Sequence, residues 1–460
     1  MARTTCTGCS TSAGSSTSSW MCTGWRIDRR RRGSPRSRPS PNRLTSIPRR
    51  LDCPEAPMLR SEDRRSGPSS PTGNAAPRTI PYFRPSIGDA EVEAVRQTLS
   101  SGWLTTGPRV QEFELAFARY VEVDHAVAVS SATAALHLAL EALGVGPGDE
   151  VLVPTMTFAS VAAVVIHLGA RPVFVDCLPD SLDIDPADLE RRLTPRAKVV
   201  VPMHHGGHPC RMDRILELAR RHRLAVVDDA AHALPAQYGG RNIGTIGDAT
   251  CFSFYANKTV TTGEGGMVAT RDPDLAKRVR LMAHNGIDRS GTTQTGVRRS
   301  WRYDIKAPGY KANMTDLAAS IGIRQLERCD AFRDARARWA DAYTEGLRDL
   351  EAIRTPRPGA DVRSSWHLYV IQLELDQLRV GRDAFIDLLE AKGVGSSVHF
   401  MPLHLHSYYR DTFGCQPEDL PNAARAYERI LSLPIFPGLS REDVGYVVET
   451  IASIVRDHRR

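Results

Sequence analysis

The sequence has no run of eighteen uninterrupted apolar residues and no apolar signal-peptide core behind its basic start, so nothing in it reads as a membrane-spanning helix. Its nine cysteines follow no even spacing, which excludes a disulfide-stapled secreted scaffold and favours a reducing, cytoplasmic compartment. Cys6 and Cys9 form a C-x-x-C without a second pair, a weak sign of a metal or redox site. Lysine is missing altogether from residues 1–78, which hold fifteen arginines and five acids for a net of +10. The whole chain carries +7, which leaves −3 for residues 79–460. The basicity therefore belongs to the leader and says nothing about nucleic acid for the rest.

That leader, with stretches such as Arg29-Arg30-Arg31-Arg32-Gly33-Ser34-Pro35, also lacks periodic apolar residues and is expected to be disordered. It reads as an electrostatic arm, as a transit-type peptide, or as translation from an upstream start with Met58 as the real initiator; the last is favoured.

From Ile80 onward the 460-residue chain is long enough for two domains. Apolar spacing predicts helices over Ile87–Leu99, Val110–Tyr120, Leu136–Leu143, Ala159–Leu168, Pro186–Leu193, Met212–His222, Pro273–Met282 and Leu317–Cys329. Between them lie short apolar strands: Ala126–Ser130, Val151–Pro154, Pro172–Asp176, Val199–Pro202 and Leu224–Asp228. Strand and helix alternate, which predicts an α/β fold with a mainly parallel sheet covered on both faces. The large domain is expected over 79–330 and a smaller α+β domain over 331–460, with a strand at Trp366–Leu373, a helix at Arg382–Lys392, a strand at Gly395–Phe400 and a final pair of helices.

The run Ala249 to Thr270 reads as strand, turn, strand and carries one lysine, Lys258, on its polar loop. A desolvated lysine is a nucleophilic amine suited to a Schiff base with an aldehyde, although a solvated surface lysine is the commoner case. Upstream, Leu224-Ala225-Val226-Val227-Asp228-Asp229-Ala230-Ala231-His232 is a buried-strand pattern ending in carboxylates, where an α/β sheet opens onto its ligand. An aspartate that keeps a pyridine nitrogen protonated and a lysine that holds an aldehyde are the division of labour pyridoxal phosphate requires.

Ser131-Ala132-Thr133 leads from a strand straight into a helix, where free N–H groups and the positive end of the dipole suit a phosphate. Ser and Thr there also serve simply as caps. Phe158, just past a strand end, is a candidate to stack on a planar ring or to be core. His204, His205 and His208 invite a metal reading, but adjacent histidines rarely face one ion and no further ligand completes a set. The polar stretch Asn285–Arg299 is expected to be a mobile loop, and Ser101–Pro108 around Trp103 a connector or a lip over the site.

Residues 80–460 resemble the DegT/DnrJ/StrS sugar aminotransferases, enzymes of the aspartate aminotransferase fold (fold type I). The resemblance rests on Ser101-Gly102-Trp103, Thr105-Thr106-Gly107-Pro108, Ser130-Ser131-Ala132-Thr133-Ala134, Asp229-Ala230-Ala231-His232, Ser253-Phe254 with Lys258, Glu264-Gly265-Gly266, and Gly309-Tyr310-Lys311 with Asn313 and Thr315-Asp316. Within the family the run is most similar to the enzymes making UDP-4-amino-4-deoxy-L-arabinose, which carry Trp where Phe158 stands.

The resemblance implies pyridoxal 5'-phosphate as cofactor, Lys258 as catalytic amine and proton carrier, Asp229 on the pyridinium nitrogen and His232 near the phenolate side. It implies Phe158 against the ring face, and Ala132, Thr133 and Ser253 on the phosphate. It further implies that Asn313 reaches that phosphate across a homodimer interface, with Trp103 and His399 lining a sugar pocket. Glutamate would donate an amino group to a nucleotide-linked keto sugar. A related dehydratase branch places His where Lys258 stands, so lysine favours transamination. A cyclitol or other keto acceptor, or a non-catalytic cofactor-binding regulator, are the alternatives.

Overall fold

The computed structural model describes residues 78–288 and 303–460. The leader with Cys6, Cys9 and Met58 lies outside them, as does most of the polar stretch Asn285–Arg299. Its described start, Ile287–Asp288, pairs with Asp304–Ile305 beyond it as a two-stranded ribbon.

The chain opens with helices α1 (Asp89–Ser101) and α2 (Pro108–Val121), the second begun by Pro108 at a position whose N–H needs no partner. Strand β1 (His125–Val129) turns directly into α3 (Ala132–Ala142), four residues before the apolar spacing alone would begin it. Then follow β2 (Glu150–Pro154), α4 (Ser160–His167), β3 (Arg171–Val175), α5 (Pro186–Arg191), β4 (Ala197–Val200), α6 (Met212–His222) and β5 (Ala225–Asp229). Two short strands, β6 (Gln237–Tyr238) and β7 (Arg241–Asn242), precede β8 (Ala249–Ser253), β9 (Gly266–Thr270) and α7 (Pro273–Ala283). The ribbon is β10 (Ile287–Asp288) with β11 (Asp304–Ile305), and α8 (Asp316–Glu327) follows it.

The seven long strands form one sheet in the order β1-β9-β8-β5-β4-β2-β3. Every neighbouring pair is parallel except those of β9, which runs antiparallel to both β1 and β8. Side chains alternate between the faces as strand geometry demands. Val127 and Val129 of β1, with Val151 and Val153 of β2, join one core with Leu136, Val161 and Val279 of the helices α3, α4 and α7. Ala126, Ala128, Phe252 and Met267 point the other way, into a core with Phe113 and Phe117 of α2 and Ile323 of α8. Leu152 and Val200 extend that second face to Ile215 and Leu218 of α6. A doubly covered, mainly parallel sheet is what the alternation predicts.

The remaining chain contains α9 (Cys329–Leu347), short strands β12 (Ile353–Arg354) and β13 (Val362–Arg363), then β14 (Tyr369–Leu373) and α10 (Arg382–Ala391). Helices α11 (Ser407–Phe413) and α12 (Pro421–Tyr427), strand β15 (Ile430–Leu433) and α13 (Arg441–Asp457) complete it. Tyr343, Phe385, Leu389, Ile371, Leu431 and Val447 fill a core of their own here.

The expected strand at Gly395–Phe400 is not one. Val394 bridges Ile80 and Ser397 bridges Ser432, as isolated contacts only. Gly395 spends its N–H on Ile80 O at 2.9 Å, so the segment is tied to two different partners and cannot run along either. Among the described residues, no helix is long and apolar enough to cross a membrane.

Candidate active site

The carboxyl ends of β1, β2, β5 and β8 all point to one edge of the sheet, where the following loops line a cavity of about 440 Å³. Each strand delivers a different chemical group there, as expected at the open edge of a parallel sheet.

From β1 comes an anion cradle. Ser131 caps α3, its Oγ accepting from the Ala134 N–H at 3.1 Å. Ala132 and Thr133, in the first turn, line the cavity with N–H groups that have no carbonyl to meet within the helix. A Cβ on Gly266 would stand 2.5 Å from the carbonyl group of Ser131 and 2.7 Å from the Ala132 nitrogen. Only glycine lets β9 pass this close behind the cradle.

From β5 come two carboxylates that part company. Asp228 turns away, accepting from the Thr250 hydroxyl at 3.1 Å and the Gly247 N–H at 3.2 Å. Asp229 faces the cavity, its Oδ1 held by the Ala231 N–H at 3.0 Å. Burial raises the Asp229 carboxyl to about 6, against the opposing pull of that hydrogen bond and of the Lys258 charge.

From β8 comes Lys258, carried on a turn closed by its own N–H to Tyr255 O at 2.9 Å and steadied by Thr261 Oγ donating to Phe254 O at 3.2 Å. The side chain keeps partial solvent contact through the cavity while protein surrounds it elsewhere. Burial lowers its ammonium to about 8; Asp229 opposes that shift and the Arg336 guanidinium adds to it. Ser253 and Asn257 line the same wall, the latter with a buried Oδ1 that has no partner.

Phe158 follows β2, lines the cavity and is 58% exposed, its ring 6.1 Å from that of Phe400. His232 is buried, with its Nδ1 unpartnered and its ring stacked on Phe400 at 5.9 Å. Burial, with Lys258's charge second, holds it well below the ordinary imidazole range, hence neutral.

Eight of the ten residues singled out from the sequence thus meet in one cavity: Lys258, Asp229, His232, Phe158, Ala132, Thr133, Ser253 and His399. The other two do not line it in this chain. Trp103 is 56% exposed, its indole N–H donating to Thr106 O at 3.2 Å. Asn313 sits just behind the cradle, beside Ser130, whose N–H donates to Ala312 O at 2.8 Å. Its amide donates to Thr106 Oγ and borders an open apolar groove between α1 and α8, with Leu99, Leu317 and Ile321.

Sequence reading missed His205, His367, Phe400 and Glu264 as neighbours of the site. Glu264 and Phe400 line the cavity, and so does His367. His205 stands behind, its Nε2 hydrogen-bonded to the His399 carbonyl at 2.9 Å, its ring 6.4 Å from that of His232. His204 turns elsewhere, accepting from the Cys210 N–H at 3.2 Å. Among the described residues, no three His, Cys, Asp or Glu groups are placed to hold a metal ion. Glu264 stood in the Glu264-Gly265-Gly266 run and His205 in the histidine cluster, and His367 stands just ahead of the buried strand β14, but none of these signals pointed to this cavity.

The donor set fits pyridoxal phosphate. Ala132 and Thr133 offer N–H groups to a phosphate, Asp229 offers a carboxylate to a ring nitrogen, and Lys258 offers an amine to an aldehyde. The unpartnered Asn257 Oδ1 and His232 Nδ1 are buried polar atoms that a polar ligand would satisfy.

Residues 85–452 match the model of the DegT/DnrJ/EryC1/StrS aminotransferase family. The chain is 47% identical over 378 residues to the spore coat polysaccharide biosynthesis protein SpsC of Bacillus subtilis, an alignment covering 82% of this chain and 97% of that protein. The structure resembles the putative sugar aminotransferase Spr1654 of Streptococcus pneumoniae in its PLP form, with TM-score 0.77, 35% identity, and 83% and 99% of the two chains covered. It also resembles Helicobacter pylori PseC, an aminotransferase involved in the biosynthesis of pseudoaminic acid, with TM-score 0.77, 26% identity, and 83% and 100% covered.

Proposed function

The chain belongs to the DegT/DnrJ/EryC1/StrS aminotransferase family and is a pyridoxal-phosphate-dependent aminotransferase of fold type I, and on that premise we propose that it transfers an amino group from L-glutamate to a keto sugar carried on a nucleotide. The observation that carries the reading is the convergence of Lys258, Asp229 and the first turn of α3 on one cavity. The sugar acceptor is supported by what its relatives are: a polysaccharide biosynthesis protein and sugar aminotransferases.

The roles follow from the groups. When bound, the cofactor supplies an electron sink that makes the substrate's α-proton labile. Ala132, Thr133 and Ser253 would bind and orient its phosphate, the helix dipole adding to their N–H and hydroxyl groups. Asp229 would keep a proton on the ring nitrogen, its enclosure strengthening that charge pairing. Lys258 Nζ would be the amine that holds the cofactor's aldehyde group, and the same amine, with its lowered pKa, would carry a proton to and from the substrate carbon. His232, neutral in its buried setting, donates or accepts one hydrogen bond without adding charge. Phe158 would lie against the ring face.

A homodimer belongs to this reading. The groove of Leu99, Leu317 and Ile321 that runs past Asn313 is apolar and open, and a second copy seated there would bring its own Asn313 toward the cradle.

The test is the visible absorption band of the cofactor-loaded protein. L-glutamate should bleach it, releasing 2-oxoglutarate, and nucleotide-linked keto sugars should restore it. A band that glutamate never alters would end the glutamate reading, and restoration by a cyclitol ketone alone would move the acceptor outside the sugar nucleotides.

A further inference from the structure

His367 is 4% exposed, lines the cavity, and has no partner for either ring nitrogen. A buried side chain with both polar atoms unsatisfied costs stability unless something else meets them. The segment that carries it is also built at a cost. Trp366 adopts φ +52°, a left-handed conformation rare for a bulky residue. Such strain persists only where the surroundings impose it.

Here they do, from two sides. Arg336 of α9, buried to 3% exposure, sends one guanidinium nitrogen to three carbonyls: Ile435 at 2.7 Å, His367 at 3.2 Å and Trp366 at 3.4 Å. On the other side Ser365 Oγ donates to the His232 carbonyl at 2.5 Å, and Ser364 Oγ to Gly207 O at 3.0 Å. Gly207 sits at φ +92°, and a Cβ there would stand 2.0 Å from Ser365 Oγ and 3.1 Å from the His367 nitrogen. The turn is clamped so that the His367 ring lies 4.3 Å from that of His232.

The chemistry of the ring says what it takes. Burial, and then the positive charges of Lys258 and Arg336, hold His367 well below the ordinary imidazole range. A neutral imidazole presents one donor and one acceptor, the complement of a hydroxyl group, which is both at once. A carboxylate would use only the donor. The neighbouring Phe400 ring offers an apolar face to the C–H face of a sugar.

We propose that His367 is a specificity residue that hydrogen-bonds a ring hydroxyl of the keto-sugar acceptor, and that Arg336 is a positioning residue which holds the Trp366–His367 turn in place for it. This rests on the sugar reading above and adds which side chain recognises the sugar.

The two half-reactions separate the possibilities. The aminated enzyme is returned to its starting absorption band either with 2-oxoglutarate, which has no hydroxyl, or with UDP- and dTDP-linked 4-keto-6-deoxyhexoses. His367→Ala should slow the return with the sugar nucleotide roughly 10- to 100-fold more than the return with 2-oxoglutarate, the loss expected when a buried polar contact goes unmade. His367→Asn, which keeps a donor and an acceptor, should recover part of it. Arg336→Met should reproduce the selective loss, and Arg336→Lys should soften it.

Equal slowing of both returns by His367→Ala, or no slowing of either, would overturn the assignment. A full cofactor band in each variant shows that the fold survived. If the wild type returns with 2-oxoglutarate but with no sugar nucleotide, the sugar reading itself fails and this assignment falls with it, an outcome visible before any variant is made.

Discussion

Asp229 closes β5 directly across the ladder from Cys251 of β8, so the turn that leaves β8 after Ser253 brings Lys258 into the same cavity as the carboxylate of Asp229. The pair is coupled through a largely desolvated space: each group's charge favours the ionised form of the other, while burial disfavours both. An amine that is cationic yet easily deprotonated is the result.

Replacing Lys258 by Ala should reduce amino transfer by at least about 10³-fold, because both the covalent attachment and the proton carrier are lost. Lys258→Arg should do no better, since a guanidinium does not deprotonate. Stopped-flow absorbance with L-glutamate, on protein loaded with the cofactor, checks both.

Loading of the cofactor-free protein requires the free amine of Lys258. Its pKa is lowered from the model-peptide value of 10.5 to about 8, so the rate of loading should climb with pH and level off above about 8. The sign follows directly: a lowered pKa frees the amine at lower pH. Asp229→Asn removes the charge that opposes the shift, so its loading curve should move to lower pH still. A wild-type midpoint near 10.5 would contradict the enclosed site described for Lys258.

Gly266→Ala should push the Ser131–Ala132 turn away from β9, because the new methyl has no room behind the cradle. Overpacking of this kind costs about 1–3 kcal/mol, and the displaced N–H groups should also bind phosphate less well. The melting temperature of the apoprotein and the affinity for inorganic phosphate are the two readouts. Unchanged values for both would remove the argument for close approach.

Asp316, 1% exposed, accepts from the N–H groups of Gly107 at 2.8 Å, Val110 at 3.0 Å and Arg109 at 3.1 Å. It thereby caps α2 from a distance and pins the Trp103–Pro108 segment to α8. Asp316→Ala leaves two buried donors and a partly buried one unmet and should lower stability by about 2–3 kcal/mol, measured by denaturant unfolding.

If Asn313 serves the partner's site, variants in different subunits should complement. Lys258→Ala and Asn313→Ala proteins, each impaired alone, should regain activity when their subunits are exchanged, because one site per mixed dimer then has both side chains intact. No recovery on demonstrated subunit exchange would confine Asn313 to its own chain.

The α/β alternation, the cradle at Ser131–Thr133, the carboxylate-ended strand and the lysine loop are all local patterns, and so the sequence determined them by itself: hydrophobic period, capping chemistry and turn residues act within a few positions. What it left open was decided at long range. Both Asp228 and Asp229 end the same strand, and only the packing of Gly247 and Thr250 against one of them turns the other toward the cavity. The apolar run 395–400 looks like a strand, but it is held to Ile80 at one end and Ser432 at the other. His367, Arg336 and Gly207 converge although more than a hundred residues separate Gly207 from the other two. No periodicity records such a meeting, because it depends on how loops from the sheet edge and a turn from the second core pack against one another.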